Sequence, residues 1–194
     1  MPPSTADRPD INPTERDRYT VEDYQQLPEG APYQLIRGHL VMSPSPSTNH
    51  QRLVRRLSRM LENGIQEAGG EVLFARMDVR LTDDTVVQPD VLYVAPDRTD
   101  RIGEQEINGA PTLIVEVASP STSHLDAFDK KQLYEAHGVE EYWIVDPDTE
   151  TVEVYTAGDE GYILHQRRVE AGTAASALLD DFAVDLDDIF REMS

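Results

Sequence analysis

The chain has 194 residues and a hydrophobic fraction of 39%, enough for one domain with a substantial core, and its lack of cysteine excludes disulfides, thiolate metal sites and a cysteine nucleophile. No apolar run approaches the roughly 18 residues needed to cross a membrane, and residues 1–18 are polar and proline-rich rather than signal-like, so we expect a cytoplasmic protein. The net charge of −20, from 37 acidic and 17 basic residues, argues against strong non-specific binding to nucleic acid at low ionic strength, but not against an enzyme that acts on DNA.

Residues 1–18 are predicted to form a disordered arm, and residues 19–194 a single domain. Hydrophobic periodicity, turn residues and helix caps predict the elements in chain order. The predicted helices are Thr20–Leu27, Asn49–Gly64, Asp126–His137 and Asp185–Glu192. The predicted strands are a hairpin over Tyr33–Met42 and then Glu71–Ala75, Met77–Leu81, Val86–Val94, Leu113–Ala118, Glu141–Val145, Val152–Thr156 and Tyr162–Arg168, with a polar loop over Pro96–Pro111 and a turn at Ser119–Thr122. This arrangement predicts an α/β or α+β fold with a mixed central sheet.

The predicted helix over residues 49–64 is amphipathic. Its apolar face consists of Leu53, Val54, Leu57, Met60 and Leu61, and its other face carries Arg52, Arg55, Arg56 and Arg59. The arginines either contact phosphates or balance the acidic surface. His50 projects towards the apolar side, where a histidine is either a hydrogen-bonded boundary residue or a functional one.

Three charged residues, Asp90, Glu116 and Lys130, are the main candidates for chemistry. The two acids lie in or at the ends of apolar strand-like runs, where a charge is costly unless a cation neutralises it. Two carboxylates and an ammonium can hold a divalent metal against a phosphate and manage the attacking water. The structural alternative is a turn residue after Pro89, an edge-strand charge, and a surface pair between Lys130 and Asp126.

Helical spacing distinguishes the two neighbouring lysines. Asp126, Lys130 and Tyr134 recur at intervals of four residues and therefore share one helix face. The ammonium of Lys130 can then point towards the strand that carries Glu116, whereas Lys131 is rotated by about 100° and is expected to point elsewhere.

Three strings resemble the Uma-type putative restriction endonuclease family of the PD-(D/E)XK nuclease superfamily. They are Gln88-Pro-Asp90-Val, Ile-Val-Glu116-Val-Ala-Ser-Pro-Ser-Thr122, and the run from Asp126 through Lys130, Tyr134 and Gly138 to Asp146-Pro. The resemblance extends from about Tyr19 to Tyr162. It implies a restriction-endonuclease-like core with a four-stranded mixed sheet flanked by helices.

The resemblance also implies the metal ligands. Asp90 and Glu116 are expected to bind Mg²⁺, for which Mn²⁺ can substitute, together with the backbone carbonyl of Val117. In the superfamily the lysine often follows the acid by two positions, where this chain has Ala118. In this family the lysine lies on the following helix, as Lys130.

The resemblance to the family adds Gln34 and His50 to the candidate catalytic residues. The family's hairpin commonly reads Tyr-Glu-Leu-Ile-Asp-Gly, whereas this chain has Tyr33-Gln34-Leu-Ile-Arg37-Gly38. The amide oxygen of Gln34 can still ligate or hydrogen-bond, but it supplies no charge, so lower metal affinity is expected. His50 matches a family position near the site.

The expected activity is metal-dependent hydrolysis of DNA phosphodiester bonds, with Lys130 orienting water or stabilising charge. Two alternatives stay open: a catalytically weakened nuclease fold that binds or regulates, suggested by Gln34, and an acidic DNA mimic that titrates a basic partner, suggested by the charge. An acidic surface with lysine only at positions 130 and 131 suggests adaptation to high salt. DNA is the expected partner, bound weakly at low salt; a homodimer is left open, and no membrane contact is expected.

Overall fold

The structure is a computed structural model that describes residues 17–43, 45–74, 76–118 and 124–191, without the side chains of residues 124–128. Residues 1–16 of the predicted arm, the predicted turn at Ser119–Thr122 and the end of the predicted terminal helix lie outside these ranges. The division into an arm over 1–18 and a domain over 19–194 stays a prediction.

The described residues form four α-helices and thirteen strands. The helices are α1 (Val21–Tyr24), α2 (Thr48–Gly64), α3 (His124–Ala136) and α4 (Leu186–Phe190), with a 3₁₀ helix at Pro96–Arg101. The strands are β1 (Tyr33–Ile36), β2 (His39–Met42), β3 (Glu71–Phe74), β4 (Asp78–Thr82), β5 (Thr85–Val87), β6 (Val91–Val94), β7 (Glu106–Asn108), β8 (Leu113–Val117), β9 (Glu141–Asp146), β10 (Thr151–Gly158), β11 (Gly161–Val169), β12 (Thr173–Ala175) and β13 (Ala183–Asp185). A mixed α+β architecture is confirmed.

The strands form a central six-stranded sheet, a five-stranded sheet and a two-stranded ladder. The central order is β11-β10-β9-β8-β6-β3, and the five-stranded order is β2-β1-β5-β4-β7. Both larger sheets are mixed, because β8 pairs parallel with β9 and β4 pairs parallel with β7. The expected four-stranded sheet was wrong: the central sheet is wider, since β3 and β11 extend it by antiparallel pairing with β6 and β10.

Helix α2 covers one face of the central sheet. The helix begins after Ser47, whose side chain accepts a hydrogen bond from the backbone N–H of His50, as is typical of an N-cap. The predicted apolar face is confirmed: Leu53, Leu57 and Leu61 are fully buried against the sheet and the C-terminal segment. This packing fixes the first turn of α2, and hence His50, relative to the sheet.

The opposite face of the central sheet packs against α3 and the five-stranded sheet. Leu133 and Tyr134 of α3 share a buried cluster with Ile114 of β8, Tyr142 of β9 and Val79 of β4. The buried central-sheet residues of this cluster alternate along their strands with residues of a second cluster, which contains the apolar face of α2. The central sheet is therefore the middle of three layers.

The prediction of one strand over Val86–Val94 was wrong. The chain leaves the five-stranded sheet after β5 and enters the central sheet at β6, and Gln88, Pro89 and Asp90 form the connection. Pro89 has no N–H and cannot donate to a strand ladder, which explains the break. The connection places Asp90 at the start of β6.

Other short elements were also missed by the predictions. The predicted loop Pro96–Pro111 contains the 3₁₀ helix and β7, which needs only three residues because its backbone pairs with β4. The ladder of β12 and β13 was not predicted, since each strand has only three residues. Within the described ranges, no helix has the length and apolar character that a membrane crossing would require.

A buried carboxylate joins the C-terminal segment to the central sheet. Glu141, at the start of β9, is fully buried, and it accepts hydrogen bonds from the indole of Trp143 and from Ser176 Oγ, each at 2.7 Å. Its other oxygen accepts from the backbone N–H groups of Ala177 and Leu178. A buried charge is tolerated here because several donors satisfy it.

Candidate active site

Strand β8 places Glu116 in the layer between the central sheet and α3. Val115 and Val117 point towards α2, so Glu116 points towards α3, and its side chain is only 12% exposed. The register that pairs Val91 with Val115 places Asp90 opposite Glu116 on the same face, one step further along the two strands. The two predicted acids therefore lie side by side.

Asp90 joins three parts of the fold. Its Oδ2 accepts a hydrogen bond of 2.8 Å from the backbone N–H of Val117 and lies 3.2 Å from Nε2 of His50. The first of these bonds attaches the start of β6 to the end of β8, and the second attaches it to the first turn of α2. His50 therefore contacts a candidate site residue, and its functional role stays a prediction.

Helix α3 supplies two donors to Glu116. Lys130 Nζ lies 2.9 Å from Glu116 Oε1, and the hydroxyl of Tyr134 donates to the same oxygen at 2.6 Å. The predicted direction of Lys130 is confirmed, while the side chain of Asp126 lies outside the described residues. Lys131 points away, as predicted, and its ammonium lies 3.7 Å from the centre of the Tyr155 ring.

The electrostatics of the cluster reflect burial and the two neighbouring carboxylates. Burial raises the pKa of Glu116; the ammonium of Lys130 opposes this shift, and the charge of Asp90 adds to it. Burial lowers the pKa of His50, but the hydrogen bond and charge of Asp90, with the charge of Glu116, outweigh it, so the pKa of His50 is raised. The two neighbouring carboxylates therefore favour the presence of additional positive charge, such as a cation, at the site.

Gln34 contacts the segment before Asp90 rather than the acids themselves. It lies on β1 and is only 6% exposed, and its Oε1 accepts a 3.0 Å hydrogen bond from the backbone N–H of Gln88. Among the contacts of the described residues, none joins Gln34 to Asp90, Glu116 or Lys130. A role for Gln34 as a ligand stays a prediction, and its contact with Gln88 is the role that the structure describes.

The side chain of Gln88 is held by two further residues that sequence reasoning missed. Its amide nitrogen donates to Asp78 Oδ1 at 2.8 Å and to the hydroxyl of Tyr24 at 3.2 Å, and that hydroxyl also lies 3.1 Å from Asp78. Tyr24 and Asp78 are distant from Gln88 in sequence, so no local pattern could reveal this contact. Together with Gln34 they fix the connection that ends at Asp90.

The oxygen donors of the site suit a hard divalent cation. Asp90 and Glu116 are neighbouring carboxylates, and the contacts described above engage only one oxygen of each, Oδ2 and Oε1. His50 Nδ1 is buried without a hydrogen-bond partner among the described residues. No group of three or more histidine, aspartate or glutamate side chains in the described ranges is arranged to hold a metal, so a cation would need a backbone carbonyl, water or substrate as further ligands.

Comparison with known families gives a match over most of the chain. The family model described as "Uma2: Putative restriction endonuclease" matches residues 21–187, which include all of the candidate site residues. The chain belongs to the Uma2 family. The resemblance noted in the three sequence strings is thereby confirmed.

Two similar proteins extend the comparison with the Uma2 family. The uncharacterized protein sll1609 of Synechocystis sp. is 29% identical over 150 residues, which cover 75% of this chain and 85% of that protein. A crystal structure from Anabaena variabilis, described as a putative nuclease belonging to DUF820, superimposes with a TM-score of 0.73 at 19% identity, covering 91% of this chain and 99% of that one. This likeness shows a shared fold.

Proposed function

We propose that this Uma2-family protein is a metal-dependent endonuclease that hydrolyses DNA phosphodiester bonds. The observation that carries the proposal is the meeting of Asp90, Glu116 and Lys130, from two strands and a helix, in one partly buried cluster. Two carboxylates beside an ammonium are the groups that phosphodiester hydrolysis with a metal requires. Membership of the Uma2 family supports the same reaction class.

Each residue has a distinct part in the proposed reaction. Asp90 and Glu116, with the carbonyl of Val117, would hold Mg²⁺ or Mn²⁺, which when bound supplies Lewis acidity and a more acidic water. Lys130 contacts Glu116 at Oε1, and in the proposed reaction its ammonium would stabilise charge on the scissile phosphate or orient water. Tyr134 fixes the same oxygen, and His50 fixes Asp90.

A cleavage assay tests this function. Supercoiled, linear duplex and single-stranded DNA are incubated with Mg²⁺ or Mn²⁺ over a range of NaCl concentrations. Asp90→Asn and Glu116→Gln should abolish cleavage, while Asp97→Asn, at an exposed position of the 3₁₀ helix, should cleave like the wild type. Cleavage that survives both site variants, or that the wild type lacks under every condition, contradicts the proposal.

Metal binding is tested without any activity measurement. Binding to the folded state alone raises the melting temperature by mass action, and Asp90→Asn should abolish that increase. Calorimetry with Mn²⁺ should show binding at one site in the wild type. An unchanged melting temperature at millimolar Mg²⁺ and Mn²⁺ would remove the metal from the proposal, and tight metal-independent binding to a basic protein would favour DNA mimicry instead.

A further inference from the structure

The exposed side of helix α2 carries three arginines, Arg52, Arg55 and Arg59, which we call the arginine face. All three are exposed, and they lie within an arc of about 60° around the helix axis. The fourth arginine of the helix, Arg56, is directed elsewhere: its guanidinium donates to the backbone carbonyls of Ile189 and Arg191 at the end of α4. Arg56 therefore has a structural role, which is to hold the end of α4. No such contact with α4 is described for the three arginines of the arginine face.

The three arginines of the arginine face form no ion pair with a described carboxylate. No carboxylate of the described residues lies within 4.0 Å of Arg52, Arg55 or Arg59, although four other arginines of the described residues form such pairs, namely Arg80, Arg98, Arg167 and Arg191. Residues 52–59 contain no acid, in a chain with 37 acids and 17 bases. If these arginines balanced an acidic surface, they would lie among acidic residues. In residues 52–59 they do not.

The position of the arginine face relates it to the candidate site. His50, which contacts Asp90, lies in the first turn of the same helix, and helical side chains tilt towards the helix N-terminus. Along the helix axis the arginine face begins within about one turn of His50, but at roughly 100° per residue it lies on the opposite side of the helix, which faces away from the sheet and the site. Its span along the axis is about 10.5 Å, at about 1.5 Å per residue. That span matches about three steps of a DNA strand, at about 3.4 Å each.

We propose that the arginine face binds the phosphate backbone of duplex DNA at a distance from the scissile phosphate, on the outer side of α2. The inference rests on the proposed function, since it gives the substrate of that site a second contact with the protein. Arginine is suited to this task because its planar guanidinium can bind a phosphate through two hydrogen bonds. Three such contacts give local attraction in a protein whose overall charge repels DNA, and they carry no sequence information by themselves.

The test is a salt series of DNA binding by fluorescence anisotropy, with a short labelled duplex and with EDTA to prevent cleavage. Between about 50 and about 200 mM NaCl, the logarithm of the association constant should fall linearly with the logarithm of salt concentration. Combined replacement Arg52→Gln, Arg55→Gln and Arg59→Gln should reduce that slope by about 2 to 3, because each lost phosphate contact removes about 0.9. Replacement of the three by lysine should preserve most of the slope.

The matched control replaces Arg76, Arg167 and Arg191 by glutamine, which removes the same three charges from other exposed positions. This control should keep the wild-type slope. Equal losses in both triple variants, no loss in the arginine-face variant, or no binding by the wild type at the lowest salt overturns the inference. A changed oligomeric state in the arginine-face variant, with unchanged DNA binding, overturns it in favour of a contact between copies.

Failure of this inference is distinguishable from failure of the proposed function. DNA cleavage by the wild type, with unchanged binding by the arginine-face variant, keeps the nuclease and rejects the arginine face. DNA binding that depends on the arginine face, in a protein that cleaves no DNA with Mg²⁺ or Mn²⁺, keeps the arginine face and rejects the hydrolysis.

Discussion

Lys130 and Lys131 are neighbours in sequence with different surroundings, and they give the first prediction. Lys130→Met removes the cation beside Glu116 and should reduce cleavage by a factor of about 100 or more, as for other preorganised charges. Lys131→Met removes only the contact with the Tyr155 ring, so it should cost at most about 1 kcal/mol of unfolding free energy and leave cleavage intact. Cleavage rates and denaturant unfolding of both variants check this; equal losses of activity would contradict it.

Gln34 gives a second prediction at the residue scale. Gln34→Leu leaves the backbone N–H of Gln88 without its acceptor, which should cost about 1–3 kcal/mol of unfolding free energy and disturb the approach of the chain to Asp90. Gln34→Glu keeps an acceptor oxygen, so cleavage should be retained. The measurement is the rate of cleavage at saturating Mn²⁺ together with the Mn²⁺ dissociation constant. Equal activity in the two variants would show that the acceptor has no part in placing Asp90.

At the scale of elements, the connection between β5 and β6 depends on a hydroxyl group. Tyr24→Phe removes the hydroxyl that contacts Gln88, Asp78 and the carbonyl of Tyr33. We expect a loss of about 1–2 kcal/mol in unfolding free energy and a lower kcat with little change in KM. Tyr33→Phe is the control, because no hydrogen bond of the Tyr33 hydroxyl is described, and it should change stability by less than about 0.5 kcal/mol. A similar loss in both variants would contradict the assignment.

The elements that the sequence predicts well are those whose own residues carry the pattern. The apolar face of α2 follows from the spacing of its leucines, and the direction of Lys130 follows from helical rotation relative to Lys131. The break at Pro89 was missed because Val86–Val94 is apolar on both sides of it, and periodicity does not show that a chain changes sheets. Strands of three residues such as β7 are too short for any period.

The site could be predicted only in part, for a related reason. Asp90, Glu116 and Lys130 were found because charges in apolar surroundings need an explanation. The contacts of Asp90 with His50, and of Gln88 with Tyr24 and Asp78, join residues far apart in the chain. Such contacts are created by packing of whole layers, and a single sequence carries no local trace of them.

At the scale of the whole molecule, the net charge of −20 predicts stabilisation by salt. Uncompensated negative charges repel one another in the compact state, and screening weakens that repulsion. The melting temperature should therefore rise as NaCl increases towards molar concentrations. Calorimetric scans over a NaCl series are the check, and a melting temperature that is flat or falls would reject both the repulsion and salt adaptation.

A group of buried and partly buried tyrosines predicts loss of stability in alkali. Burial raises the pKa values of Tyr134, Tyr142 and Tyr162, and burial followed by the nearby Glu153 raises the pKa of Tyr155 to about 12. The rings of Tyr142, Tyr155 and Tyr162 lie 6.2–6.5 Å apart. A raised pKa means that the folded state holds the phenol proton more tightly, so this contribution to stability is complete below the unfolded pKa of about 10 and decreases above it.

The unfolding free energy should therefore fall between about pH 10 and about pH 12. Tyrosinate absorbance and denaturant unfolding over that range are the measurements. Tyr155→Phe should make the fall shallower, because one titrating group is removed. Unfolding free energy that is constant over this range, or a tyrosinate signal near pH 10 that Tyr155→Phe removes, would contradict the prediction.

Glu141 has a consequence for how the protein can be shortened. Three of the donors that satisfy its buried carboxylate come from residues 176–178, more than thirty positions along the chain. A truncation before Ser176 would remove these three donors, and among the described contacts of the carboxylate the indole of Trp143 would remain. Minimal versions for crystallisation or fusion should therefore retain the chain through α4, and tags are better tolerated after this helix than in place of it.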